Sequence, residues 1–160
     1  MPTLYVADSA GSYVRAKDSQ VIEAARVAVG RALRRGIRFD SPSAARKYLP
    51  AMLGTLEHEV FCVAHMDGNH RLIAFEEMFR GTVDAASVYP REVVKSALLH
   101  NSATVAFIHN HPSGSAQPSL PDEAMTQKLK TALAVVEIRV VDHFIVAGDC
   151  VTSFSELGLL

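Results

Sequence analysis

Cysteine is nearly absent from this chain. Its two copies, Cys62 and Cys150, stand far apart and outside any CxxC spacing, so no disulfide framework is readable. Each lies in an apolar run, where a free thiol is expected to be a small, buried, inert hydrophobe. No run of about 18 apolar residues and no signal-peptide pattern occurs, which predicts a cytoplasmic protein with no membrane partner. Charge of one sign is lacking as well: the net charge is −1 and the pI about 6.6, so no global basic field announces nucleic acid. There is neither an internal repeat nor a low-complexity tract. What remains is a chain of 160 residues, 49% hydrophobic and 21% charged, long enough for one domain with a real core.

The first 16 residues lack periodicity and are expected to form an extended or loose arm. From Ser19 to Arg35 the positions Val21, Ala25, Ala28, Val29 and Ala32 recur at helical spacing, and Gly36 supplies a stop. Arginine clusters here, at Arg26, Arg31, Arg34, Arg35 and Arg38. Such a group is either a phosphate-binding patch or, more commonly, a solvated helix face. A short helix should start at Ser41–Pro42 and end by Pro50. "EVFCVAHM" (59–66) then reads as a strand, "DGN" (67–69) as a hairpin turn, and "HRLIAFEEMFRG" as the return strand. Pro90 opens a helix, "TVAFIHNH" is a short strand apolar on both faces, and a helix runs from Ser119 to about Val136. "IRVVDHFIVAG" with "CVTSF" closes the chain as a hairpin. The order α-α-β-β-α-β-α-β-β predicts a layered α/β domain.

The densest chemistry lies in "IHNHPSGSAQPSLPD". Residues two apart on a strand point the same way, so His109 and His111 converge while Asn110 turns aside. They stand at the carboxyl end of a central strand, where α/β sheets place their sites. Pro112, Ser113 and Gly114 turn the chain, and Asp122 returns from the start of the next helix. Two imidazoles and one carboxylate with a fourth position open match a catalytic zinc site, and also suit iron, nickel or manganese. The plainer alternative is local: "SLPD" is a capping box with Ser119 as N-cap and Asp122 at N3. The five other histidines, His58, His65, His70, His100 and His143, are expected to be surface or satisfied core residues.

The stretch also fits H-x-H-x7-S-x2-D, and so resembles the signature of JAMM (MPN+) metalloproteases at His109, His111, Ser119 and Asp122. More densely, "FRGTVDAASVYPREVVKSALLHNSATVAFIHNHPSG", "IRVVDHFIVAG" and "SFSELGLL" resemble the RadC family of bacterial JAB-domain proteins, from about Leu49 to Leu160. The resemblance implies a JAB/MPN-like (cytidine-deaminase-like) α/β fold, a mixed sheet with flanking helices, over residues 41–160. Residues 1–40 would then be an N-terminal arm and helix. It further implies Zn2+ held by His109, His111 and Asp122, with the Ser119 hydroxyl offered to a developing oxyanion. An upstream glutamate would act as general base. Glu57 and Glu59 both precede the first core strand at suitable distance; Glu59 is favoured because "EVFCV" begins there, while Glu76 and Glu77 read as an exposed acidic pair.

The expected activity is zinc-dependent hydrolysis of an amide or isopeptide bond in a protein or peptide substrate. The competing reading is a DNA-associated role, either DNA binding or a metal-dependent nuclease, with the arginines from Arg26 to Arg38 as the only local cluster to contact phosphate. A third is an interaction module without turnover. A homodimer is compatible with all three.

Overall fold

The computed structural model describes residues 3–33, 37–39, 41–81 and 88–160. Two short strands, β1 (Tyr5–Ala7) and β2 (Tyr13–Arg15), pair as an antiparallel hairpin. The arm, expected to be extended or loose, is extended in these strands and folds back as a hairpin, in which Asp8 Oδ1 accepts the amides of Ala10 and Ser12 and Gly11, at φ +80°, takes the left-handed turn position. Helix α1 spans Asp18–Leu33; the stop assigned to Gly36 and the arginines Arg34 and Arg35 lie outside the described residues. The region read as one helix ending at Pro50 is two: α2 (Pro42–Arg46), capped by Ser41, and α3 (Leu49–Leu53). Pro50 falls in the first turn of α3, where its missing N–H costs nothing, so it opens a helix rather than closing one.

The main sheet has five strands in the order β4-β3-β5-β6-β7. These are β3 (Val60–Met66), β4 (Leu72–Arg80), β5 (Thr104–Asn110), β6 (Arg139–Ala147) and β7 (Cys150–Ser153). Only β5 and β6 are parallel, so the sheet is mixed. Helix α4 (Pro90–Leu99) precedes β5, α5 (Leu120–Ala134) crosses from β5 to β6, and α6 (Phe154–Leu157) follows β7. Strands β3 and β5 are buried throughout, and successive residues feed opposite layers. Val60, Cys62, Ala64, Met66, Ala106 and Ile108 join Leu49 and Leu53 on the α1–α3 side. Phe61, Val63, Val105 and Phe107 join Val93, Ala97, Leu129 and Leu133 on the α4–α5 side. The result is helices, sheet, helices.

An irregularity in β6 decides which of its side chains reach the end of β5. The β5–β6 register slips by one residue between Val105 and Ala106, so Val105 faces Val140 while Ala106 faces Asp142. This bulge reverses the side-chain parity of β6 and sets His143 opposite Phe107, on the α4–α5 side. Asp142 beside it is buried yet satisfied, accepting from Ser153 Oγ and from the amide and hydroxyl of Ser155. Cys62 is buried, and burial pushes its thiol up to about 12. Cys150 departs from expectation: it is exposed, because it starts the edge strand β7 directly after the Gly148–Asp149 turn.

A candidate metal centre at the end of β5

His109 is the penultimate residue of β5, His111 lies just beyond its end, and Asp122 is in the first turn of α5. The fold brings all three together. His109 Nε2 is 2.8 Å from His111 Nε2 and 3.2 Å from Asp122 Oδ1, and His111 Nε2 is 3.5 Å from Asp122 Oδ2. Asn110 turns to the other side, where its amide accepts Val60 N–H and donates to the His58 carbonyl.

What lies behind each imidazole decides what faces inward. The Pro112–Ser113–Gly114 turn, with Gly114 at φ +87°, returns the Ser115 carbonyl to 2.8 Å from His111 Nδ1. A carbonyl only accepts, so Nδ1 carries the proton and the neutral ring presents a bare Nε2. His109 is fixed by a longer relay. Thr126 donates its hydroxyl proton to the Asp122 carbonyl at 2.6 Å, so its oxygen accepts from His143 Nδ1, also at 2.6 Å. His143 is completely buried, and burial holds it well below its ordinary pKa and therefore neutral. Its Nε2 then accepts from His109 Nδ1 at 2.8 Å, which leaves His109 Nε2 bare as well.

Two lone-pair nitrogens and a carboxylate thus meet with no donor among them. A cation or a proton donor satisfies that set, and two imidazole nitrogens plus a carboxylate oxygen suit a zinc-group ion. Metal-ligating histidines characteristically donate their second N–H to an outer partner, as both do here. Without metal, protons fill the gap. Hydrogen bonding to Asp122 holds His111 above its ordinary pKa, and the charge of Glu59 adds to this. Burial works against the Asp122 anion, yet contacts with His109, His111 and Ser119 hold its carboxyl far below the usual range.

Ser119 and Asp122 form the capping box as well. Ser119 donates its amide and hydroxyl protons to Asp122 Oδ2 at 2.8 and 2.6 Å, and its oxygen accepts Asp122 N–H at 3.3 Å. The cap and the carboxylate's orientation are therefore one structure, not alternatives. Glu59 stands directly before β3, near enough to His111 for its charge to act on that ring. Glu57 is exposed and lines a cavity of about 690 Å³ that His111, Pro112, Ser113 and Gly114 also line. Gly54 and Gly148 also line it, packed so closely that a Cβ added to Gly54 would stand 2.2 Å from the Gly148 carbonyl oxygen. Sequence reasoning misses His143 and Thr126. The "DH" pair is visible in the sequence, but the bulge that turns His143 toward His109 is not.

The RadC-like JAB domain family matches residues 39–159. This chain belongs to that family. It is 54% identical over 150 residues to a UPF0758 protein of Methylibium petroleiphilum, covering 94% of this chain and 68% of that protein. A UPF0758 protein of Leptothrix cholodnii is 53% identical over the same shares. One from Nitrosomonas eutropha is 52% identical over 140 residues, 88% of this chain and 62% of its own. The JAB domain accounts for the α/β fold with its five-stranded mixed sheet. Among the described residues no helix is long and apolar enough to cross a membrane.

Proposed function

We propose that this chain is a metal-dependent hydrolase of the JAMM type, cleaving an amide or isopeptide bond. One observation carries the reading: His109 Nε2, His111 Nε2 and the Asp122 carboxylate converge as acceptors, with both ring tautomers set from behind. Those three residues would hold a zinc ion, which when bound acts as a Lewis acid and brings the pKa of its water toward about 7. Glu59 is assigned as the general base: its carboxylate takes a proton from the attacking water and returns it to the leaving amine. Ser119 would turn its hydroxyl from Asp122 Oδ2 to the developing oxyanion, a donor role worth about 10²–10³ in rate. Its backbone amide keeps its own bond to Oδ2 during that turn. The cavity that Glu57 and His111 line offers room for an extended polypeptide segment.

The test is metal analysis of the untagged protein together with hydrolysis of isopeptide-linked and linear peptides, with and without chelator. One zinc per chain and chelator-sensitive cleavage are expected. Full metal occupancy with no cleavage of any amide would leave a binding module in place of the hydrolase.

A further inference from the structure

The same sheet face carries a second cluster built from His65 in β3, Glu76 in β4 and His100 at the C-terminal cap of α4. We propose that these three residues form a second site for a divalent transition metal, with an imidazole–carboxylate donor set of the zinc-group class.

Spacing supports this first. Glu76 Oε2 is 3.5 Å from His65 Nε2 and 3.4 Å from His100 Nε2, and one ligand atom from each residue lies within 4.8 Å of the others. Ligands at 2.0–2.1 Å from a tetrahedral ion stand about 3.3 Å apart. The construction around the cluster is equally specific. Asn101, at φ +50°, ends α4 in the left-handed conformation. Its amide bonds to the Leu98 carbonyl, and that of Ser102 to the Ala97 carbonyl, a Schellman motif. That turn delivers His100 and Ser102 together to His65, whose Nδ1 is 3.0 Å from Ser102 Oγ. His65 thus has the outer partner that metal-bound imidazoles use. Its side chain is fully buried, whereas those of Glu76 and His100 are 44% and 29% exposed, which leaves an open approach and a coordination position for water.

The resting hydrogen bonds show how metal would enter. Ser96 donates its hydroxyl proton to Glu76, so its oxygen, 3.1 Å from His65 Nε2, accepts a proton from that nitrogen. Ser102 then donates to Nδ1. Metal binding moves the ring proton from Nε2 to Nδ1 and turns Ser102 from donor to acceptor, which a hydroxyl does by rotation. Ser96 stays on the carboxylate as an outer partner. Each polar atom of His65 keeps a partner in both states.

The test titrates the untagged, metal-stripped chain with Co2+, whose visible absorption reports each site. Two equivalents are expected for the parent. Glu76→Gln, which keeps the acceptor for Ser96, and His100→Asn should each lose one equivalent. Asp122→Asn should also lose one and keep the other, with a Co2+-dependent rise in Tm that the Asp122→Asn/His100→Asn double variant lacks. An equivalent that survives Asp122→Asn and disappears with His100→Asn establishes the second centre whatever becomes of the first. A parent whose single equivalent is lost with Asp122→Asn, no binding by Asp122→Asn, or two equivalents in both Glu76→Gln and His100→Asn overturns it.

Discussion

Two three-residue clusters that could hold a metal ion stand on one face of one sheet, four residues apart along β3 at the level of Phe61 and His65, or roughly 13 Å. Their donor sets are the same, two imidazoles and a carboxylate, but the atoms behind the imidazoles differ. At the end of β5 both histidine tautomers trace back to backbone carbonyls, those of Ser115 and Asp122. Carbonyls only accept, so those rings are held with bare nitrogens inward. At the other end His65 is backed by the hydroxyls of Ser102 and Ser96, which both donate and accept. The first cluster therefore needs a cation or an added proton between its acceptors, while the second is satisfied by the protons its neutral groups already carry. The carbonyl-backed cluster should be the tighter of the two.

The largest effect is expected at the three proposed ligands. His109→Ala, His111→Ala and Asp122→Asn should each abolish zinc retention at the β5 centre and with it all metal-dependent turnover, measured by metal content and peptide hydrolysis. Uptake at this centre should also weaken as pH falls, because protons compete for the ligands. His111 is held above its ordinary pKa, so that competition begins at a higher pH than an isolated imidazole would give. Metal content unchanged in all three variants would reduce the motif to a capped turn.

Next in size is the proposed general base. Glu59→Gln should keep the metal and lower kcat by about 10²–10⁴, whereas Glu57→Gln should change it little. Loss of metal in Glu59→Gln would make that residue a ligand instead. Ser119→Ala should lower turnover by at least about tenfold with zinc still bound, and cost about 1 kcal/mol of stability as a lost helix cap. Parent-like activity would confine Ser119 to the cap.

Legibility from sequence tracks how local the geometry is. His109, His111, Ser119 and Asp122 are readable because strand alternation and a capping box act over a few residues, and the fold brings the four together. The order of strands and helices along the chain follows from hydrophobic runs and turn residues such as Asp67, which accepts the amides of Asn69 and Arg71 as a hairpin turn requires. His143 reads as a surface or satisfied core residue, and its burial makes it the latter. Its bond to His109 depends on the β6 bulge, which a parity count cannot register. The His65–Glu76–His100 cluster escapes for a related reason: its members come from three elements and have no diagnostic spacing. The N-terminal hairpin hangs on Asp8 and Gly11, and its three-residue strands are too short for periodicity to show.

Behind the β5 centre, Thr126 provides a smaller and more discriminating test. Thr126→Val keeps the shape but removes the oxygen that fixes the His143 tautomer, and so frees His109 to turn a protonated nitrogen inward. Zinc affinity should fall about 10–100-fold, the usual cost of a lost outer partner, and Thr126→Ser should restore it. Unchanged affinity in Thr126→Val would mean that His109 is oriented by packing alone, against Phe61 with which it stacks at 6.4 Å between centroids.

The smallest effect is expected from the corresponding change at the other cluster. Ser102→Ala removes the hydroxyl on His65 Nδ1, leaving a polar atom of a fully buried ring without its partner. Thermal or denaturant unfolding of the metal-free protein should show a loss of about 1–3 kcal/mol, similar to that of Thr126→Val, since both strand one nitrogen of a buried imidazole. The two variants should part company on metal. Thr126→Val weakens the β5 centre, whereas Ser102→Ala should leave zinc affinity and turnover there at parent values, because the hydrogen bond of Ser102 goes to His65 and not to His109, His111 or Asp122. A Ser102→Ala protein that loses stability and also loses affinity at the β5 centre would show the two clusters to be coupled through the Phe61–Val63–Phe107 layer between them. That outcome would remove the distinction between carbonyl-backed and hydroxyl-backed histidines as the source of their different behaviour.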